Sequence, residues 1–418
     1  MKKEILKELN EHIIPFWLDL KDEEHGGYYG YKDSSLVLNK KGEKGCIHES
    51  RILWFFSEAY RLLGDEEYLA AADHAYDFMK KNLFDPENGG VFWSVTYDGK
   101  VLDDTKHVYS HSFAIYGLSA YSRASGKPEP LDEALQLFAL IEGKMRDPEG
   151  YGEAFGPDFG LRSNEKLSEN GVEASRTMNT LLHVIEAYTL LYAVSNEPKV
   201  KEALLGAVNI LIDKVYRPEK KRLGVFFDKD YNDLIDLYSY GHDIEAAWLT
   251  DRAAETLGIC PQDPAIVKRG TTEGADKETG TEEKNGGSLA ELSFKIRSMT
   301  DTLEDAVLHE AFRNDSLPLE CENGVVAEQR VWWVQAEAVN GFLNAWQKHP
   351  EREDYLKAAE RIWGFIRDYV VDSREGGEWY SEVGPDGKPD MSLPEVEPWK
   401  CPYHNGRMCF EVMERNVL

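Results

Sequence analysis

Imidazole, guanidinium and indole side chains recur in this sequence at the starts of apolar helical stretches, where they can converge on one opening. His48-Glu-Ser-Arg51 opens one stretch, and His107-Val-Tyr109 with His111 opens a second. Arg176-Thr-Met-Asn179 and His183 belong to a third, where spacings of three and four predict one shared face. Tyr240-Gly-His-Asp-Ile-Glu245 opens a fourth, Trp332-Trp333 with Gln335 and Glu337 a fifth, and Trp399 with His404, Asn405 and Arg407 a sixth. An imidazole, with an ordinary pKa of about 6.5, accepts and returns protons near neutrality. A carboxylate one turn away, as Glu245 is from His242, predicts an oriented ring whose cation is favoured. Trp and Tyr faces suit pyranose rings, while Asn, Arg and Gln suit their hydroxyls and an oxyanion. The set predicts a sugar-handling pocket with histidine bases.

Not every histidine carries the same weight. His183 sits inside the apolar run Leu181-Leu-His-Val-Ile185 and has the character of a core residue as much as of a catalyst. His242 and His404 each stand beside a helix start and a glycine. His107 and His111 have the i, i+4 spacing of a metal pair, yet no nearby carboxylate completes a ligand motif, so neither metal nor cofactor is expected. His12, His25, His74, His309 and His349 read as surface or loop residues.

Elements that could position these groups are visible in the pattern. Six Gly-plus-aromatic turns precede the helix starts: His25-Gly-Gly-Tyr-Tyr29, Asn88-Gly-Gly-Val-Phe-Trp93, Glu149-Gly-Tyr-Gly152, Leu223-Gly-Val-Phe-Phe227, Asn323-Gly-Val-Val326 and Glu375-Gly-Gly-Glu-Trp-Tyr380. A unit used six times implies a closed toroid whose corresponding helix ends meet at one mouth. Helical periodicity marks roughly 2–20, 47–63, 66–82, 107–124, 130–146, 173–195, 197–215, 241–258, 288–312, 330–348, 352–371 and 404–417. Gly64-Asp65, Gly126-Lys-Pro128, Asn196-Glu-Pro198 and His349-Pro350 end one helix and open the next.

Twelve helices in six antiparallel pairs predict an all-α (α/α)6 barrel with short hairpin-like loops at the mouth. The helices that follow the Gly-aromatic turns are apolar nearly all round, as in Ile52-Leu-Trp-Phe-Phe56, and predict the inner ring. Residues 1–418 read as one domain. A polar, Gly- and Thr-rich insertion at about 261–287 joins the helices of one pair and is given no catalytic role.

Composition narrows the partners. Hydrophobic residues make up 42% of the chain, ample for a sizeable core. A formal net charge of −28 argues against a nucleic-acid backbone or an anionic membrane, which need basic patches. No apolar signal core opens the chain and no apolar run is long enough to span a bilayer. Five cysteines without close paired spacing fit a reduced cytoplasm better than a disulfide framework or zinc.

Several segments together resemble the N-acylglucosamine 2-epimerase superfamily and, within it, the cellobiose 2-epimerase family. They are Glu49-Ser-Arg-Ile-Leu-Trp-Phe-Phe56, His111-Ser-Phe-Ala-Ile-Tyr-Gly-Leu118, Met178-Asn-Thr-Leu-Leu-His183, Tyr240-Gly-His-Asp-Ile-Glu-Ala246, Trp332-Trp-Val-Gln-Ala-Glu337 and Pro398-Trp-Lys-Cys-Pro-Tyr-His-Asn-Gly-Arg407. The resemblance implies cofactor-free epimerisation at carbon 2 of the reducing-end sugar of a β-1,4-linked disaccharide, turning cellobiose into glucosyl-mannose and lactose into epilactose. It implies that His242 and His404 exchange the carbon-2 proton on opposite faces of the opened sugar. It further implies that His183 assists at the carbonyl and in ring opening, with Arg51 close to the reacting oxygens. Tyr109, Asn179, Glu245, Trp333 and Trp399 match residues that position the substrate or the bases. A monomer or weak homodimer is expected.

Such chemistry has its own requirements. A proton alpha to an aldehyde is acidic because the charge spreads onto oxygen, so a base must be paired with donors at that oxygen. Reprotonation from the other face needs a second base or a turn of the intermediate. Competing readings are a mannose aldose–ketose isomerase or an N-acetylglucosamine 2-epimerase on the same barrel. An inverting glycoside hydrolase, whose two carboxylates would stand about 6.5–9.5 Å apart, and a non-catalytic sugar binder are further rivals.

Overall fold

The computed structural model describes residues 1–167, 170–259 and 283–415. Among the described residues twelve helical segments follow one another. They are α1 (Lys2–Glu8, continued by a π-turn at Leu9–Ile13 into Ile14–Asp19), α2 (Cys46–Leu63), α3 (Glu66–Asn82), α4 (Val108–Ser125), α5 (Glu129–Lys144) and α6 (Met178–Ser195). Then come α7 (Pro198–Ile210), α8 (Tyr240–Thr256), α9 (Glu283–Ala306), α10 (Trp332–Lys348), α11 (Glu353–Phe365) and α12 (His404–Arg415). Even-numbered helices pack in sequence from α2 to α12 and back to α2, closing an inner ring; odd-numbered helices pack outside them. This is the (α/α)6 barrel.

Local chemistry explains the reversals at the base. Helices α2, α4 and α6 stop at residues in the left-handed region: Gly64 (φ 77°), Gly126 (φ 70°) and Asn196 (φ 54°). The next helix then starts on a cap or a proline. Asp65 accepts the Glu67 amide and opens α3, and Pro198 opens α7. Outer helices α7, α9 and α11 each end in a π-turn (Leu211–Val215, Val307–Ala311, Ile366–Val370) before the chain runs to the mouth.

At the mouth, an aspartate three or four residues before a glycine shapes three of the turns. The Oδ1 atoms of Asp22, Asp85 and Asp147 each accept two following backbone amides. A cation from the next loop neutralises each: Lys44 reaches Asp22 at 2.6 Å, Lys106 reaches Asp85 at 2.8 Å, and Arg176 reaches Asp147 at 2.6 Å. The strand before each inner helix pairs antiparallel with a strand of the following loop, as in Lys44↔Val95, Lys106↔Phe155, Thr177↔Phe226, Tyr238↔Cys321 and Arg330↔Val383. A bridge between Lys32 and Val396 closes the circle.

The same closure occurs among the helices. Trp17 of α1 donates to Glu378 at 3.1 Å, and Glu378 also accepts from Lys400 at 3.1 Å and from Asn405. One carboxylate thus ties the first helix to the start of the last.

Three expectations need correction. The stretch expected to be helical from 173 begins only at Met178; Arg176–Thr177 is a strand, so Arg176 does not share a helical face with Asn179 and His183. Its guanidinium instead binds Asp147 and the Tyr151 carbonyl. Asn323-Gly324 is not the fifth turn of the repeat but the tip of a hairpin between Glu320–Glu322 and Val325–Ala327. The equivalent junction, after the π-turn of α9, carries no Gly-Gly pair. His74 lies on α3, half-buried, with Nε2 2.9 Å from the Gly27 carbonyl, so it is neither loop nor free surface. Most of the polar segment 261–287 falls outside the described residues, and helical backbone begins at Glu283.

Candidate active site

The N-terminal halves of the inner helices surround one cavity of about 420 Å³. Arg51 enters from α2, Tyr109 from α4, Asn179 and His183 from α6, His242 and Glu245 from α8, Trp333 from α10 and His404 from α12. Trp399 enters from the loop before α12. All nine residues nominated from the sequence therefore line the same space.

Each of the three imidazoles is anchored through Nδ1. His183 meets Glu186 Oε2 at 2.9 Å, His404 meets Glu337 Oε1 at 2.8 Å, and His242 meets Ser239 Oγ at 2.7 Å. A carboxylate accepts only, so in His183 and His404 the proton belongs on Nδ1 and Nε2 presents a lone pair. A serine hydroxyl donates or accepts, so His242 is free to take either tautomer. Glu245 does not orient His242 as expected. It turns inward to the Arg407 guanidinium, the stronger partner for a buried carboxylate.

Burial dominates the electrostatics. It pushes His183 below the ordinary imidazole value, partly offset by the bond to Glu186. Burial, then the charges of Arg407 and Arg51, holds His404 well below it. Burial and the neighbouring His183 lower His242 as well. All three are neutral at pH 7, the state a base requires. For Glu186, burial is outweighed by Arg407 and the bonds from His183 and Tyr403, and its pKa falls to about 2. Burial and the charge of Glu337 push Glu245 up to about 8.

Donors and platforms complete the wall. Arg51 donates to the Trp399 carbonyl at 3.1 Å and to Tyr109 Oη at 3.0 Å, with its guanidinium against the rings of Phe113 and Tyr403. Its Nε has no partner, nor have Asn179 Oδ1 and Glu245 Oε2. Buried polar atoms are rarely left so, and these three give the cavity unspent bonding capacity toward a polar ligand. The Trp333 ring lies 4.7 Å from His242 and 5.5 Å from His404, between centroids. Trp399 packs edge-on against Trp93 and Tyr109.

Other nominated residues stay out of the cavity. His107 caps α4 and meets Asn164, and His111 accepts the Val91 amide; both are core histidines. Gln335 clamps the Leu317 backbone. Arg407 stands behind the wall, where it pairs with Glu186, Glu245 and Glu337. Glu245, Glu337 and His404 bring three ligand atoms within 4.8 Å of one another, but Arg407 Nη2 lies 2.7 Å from Glu337 and already supplies positive charge there. Sequence reasoning missed Ser239, Glu382 and Glu397, which line the cavity, and Glu186 and Glu337 as ring anchors. The His183–Glu186 spacing of three on one helix was a usable signal. Glu337 and His404, 67 residues apart, left none.

The fold and this histidine-lined mouth define a class, the (α/α)6-barrel isomerases that act on sugars. Comparison with known proteins narrows it. The profile of the N-acylglucosamine 2-epimerase (GlcNAc 2-epimerase) family matches residues 26–285 and 302–405. The cellobiose 2-epimerase of Ruminococcus albus is 46% identical over 417 residues, covering 100% of this chain and 99% of its own. A crystal structure of a sugar epimerase from a ruminal bacterium superposes with a TM-score of 0.91 at 45% identity, covering all of both chains. The cellobiose 2-epimerase structure from Bacillus thermoamylovorans B4167 gives 0.88 at 42% identity, covering 99% of each. The chain belongs to the N-acylglucosamine 2-epimerase family and is an isomerase. No helix among the described residues is long and apolar enough to cross a membrane.

Proposed function

We propose that this enzyme epimerises carbon 2 of the reducing-end glucose of β-1,4-linked disaccharides, converting cellobiose to glucosyl-mannose and lactose to epilactose. The observation that carries the reading is the convergence of three imidazoles, each anchored at Nδ1, on one cavity with Arg51 and two indoles. His183 assists ring opening, moving the O1 proton toward the ring oxygen as the aldehyde forms. His404, with its lone pair fixed on Nε2, removes the carbon-2 proton. The electron pair flows onto the carbonyl oxygen, and the cis-enediolate charge meets the Arg51 guanidinium. The proton removed by His404 passes to solvent as His242 takes one up at Nε2, and the His242 imidazolium, held by Ser239, returns a proton to the opposite face of carbon 2, so that both rings end neutral. The reverse reaction exchanges the two roles. Trp399 at the rim is placed to stack on the non-reducing ring.

Incubation of the enzyme with cellobiose in deuterated water, followed by NMR of the sugars, tests this. The expected product is glucosyl-mannose carrying deuterium at carbon 2. Free glucose would point to a hydrolase instead, and turnover of mannose but not of cellobiose would make it an aldose–ketose isomerase.

A further inference from the structure

Behind the cavity wall lies a group that the proposed chemistry does not use. Arg407 is 1% exposed and does not line the catalytic cavity, yet its fork divides among the anchors of two catalytic histidines. Nη1 donates to Glu186, the anchor of His183, and to Tyr403 Oη. Nη2 donates to Glu245 and, at 2.7 Å, to the same Glu337 oxygen that holds His404. Tyr403 adds a second link: its hydroxyl donates to Glu186 at 2.6 Å and its ring lies 4.5 Å from the His404 ring. One cation therefore serves two His–carboxylate pairs on different helices.

We infer that Arg407 is a positioning residue that ties the protonation of His183 to that of His404. The inference deepens the proposed function and rests on it for its catalytic meaning. When His404 gains a proton, Glu337 is drawn to the imidazolium and Nη2 loses part of its partner. The guanidinium then leans on Glu186, which weakens the hold of Glu186 on His183 and disfavours a second imidazolium. Protonating His183 acts on His404 in the same way, because such coupling is reciprocal. The two rings share one positive charge. While His404 holds the carbon-2 proton, His183 is therefore kept neutral beside the carbonyl it serves.

Every charged neighbour of the pair enters the balance. Arg51 from α2 and Tyr109 from α4 face His183, and His242 from α8 adds repulsion when protonated. Glu245 carries the remaining carboxyl of the cluster and accepts from Arg407. These groups shift both imidazoles together; among the described residues Arg407 touches the anchors of both, while Tyr403 touches Glu186 and the ring of His404.

The test is NMR titration of the full-length protein with 15N-labelled histidine rings, set beside cellobiose turnover. In an otherwise native chain, His404→Asn is expected to raise the midpoint of His183 by about one pH unit or more. Placed on an Arg407→Lys background, the same change is expected to move it by less than half as much, since an ammonium cannot fork across three carboxylates. Tyr403→Phe, which removes one hydroxyl and keeps the ring, is expected to reduce the effect by a smaller amount and carries the test if Arg407→Lys does not fold. An undiminished His183 response in both backgrounds would mean that the rings interact by direct repulsion alone, and the inference falls. Loss of cellobiose turnover in the native protein, with the coupling intact, would instead overturn the proposed function.

Discussion

The two ends of the barrel are built from the same six inner helices and differ in what their charges are left to do. At the base, helix C-termini carry arginines whose partners are already in place. Arg61 and Arg123 share Glu58, and Arg252 meets Glu411 at 2.7 Å around a smaller cavity of about 170 Å³. Cations there also complement the negative ends of the helix dipoles. At the mouth, helix N-termini carry neutral imidazoles, and three polar atoms of cavity-lining residues, Arg51 Nε, Asn179 Oδ1 and Glu245 Oε2, have no hydrogen-bond partner. Helix direction thus sorts the charges, with ion pairs around the lower cavity and neutral imidazoles around the upper one. Around the lower cavity the ions are spent on one another and support the fold, whereas unpartnered atoms of residues lining the upper cavity remain open to a ligand.

Removing a base at the mouth should break this contrast most visibly. His404→Asn or His242→Asn is expected to cut kcat on cellobiose by about 10³-fold, the scale of acid–base catalysis, while the thermal midpoint stays close to that of the parent. Near-native turnover in either variant would show that the pairing pattern does not report function. Glu337→Gln leaves the His404 ring in place without its acceptor charge, and a loss of about 10- to 100-fold in kcat with little change in KM is expected from an outer partner of this kind.

These effects bear on what the sequence made legible. Helix spacing and all-round apolarity in stretches such as 52–56 disclosed the barrel and its inner ring, because both depend on neighbours within two turns. Helix starts announced by turns brought a wider set of polar and aromatic residues into view, and the family resemblance picked the nine cavity residues out of it. Pairings between helices were not legible. Ser239 replaced Glu245 as the partner of His242 because Arg407, 162 residues from Glu245, captured that carboxylate. Two of the aspartates that shape the turns could have been read, since Asp22 and Asp85 each stand four residues before a Gly-Gly pair.

The rim separates binding from chemistry. Trp399→Ala is expected to raise KM for cellobiose about tenfold and kcat little, because stacking on a remote ring stabilises ground and transition states alike. A fall in kcat alone would move Trp399 into the reacting centre. The pH profile sharpens the electrostatic side. Burial lowers all three imidazoles, so they bind a proton only below the ordinary value. Accordingly kcat/KM is expected to hold as pH drops through about 6.5 and to fall only in more acidic buffer. An acid limb centred at the ordinary imidazole value would contradict the desolvated site. At the base the smallest effect is expected: Arg123→Ala, removing a half-exposed partner of Glu58, should cost about 1 kcal/mol or less in a denaturant melt and leave kcat and KM unchanged.

Glu378 joins Trp17 of the first helix to Lys400 and Asn405 at the start of the last, across 361 residues in the case of Trp17. Such distant pairing forms late, because the loop entropy of the whole chain must be overcome before this contact stabilises anything. Trp399 and His404 stand next to Lys400 and Asn405 in the chain. A refolding molecule can therefore recover nearly all its helicity and still be inert. Regained turnover, followed against circular dichroism after dilution from denaturant, would time the moment at which the two ends of the chain meet.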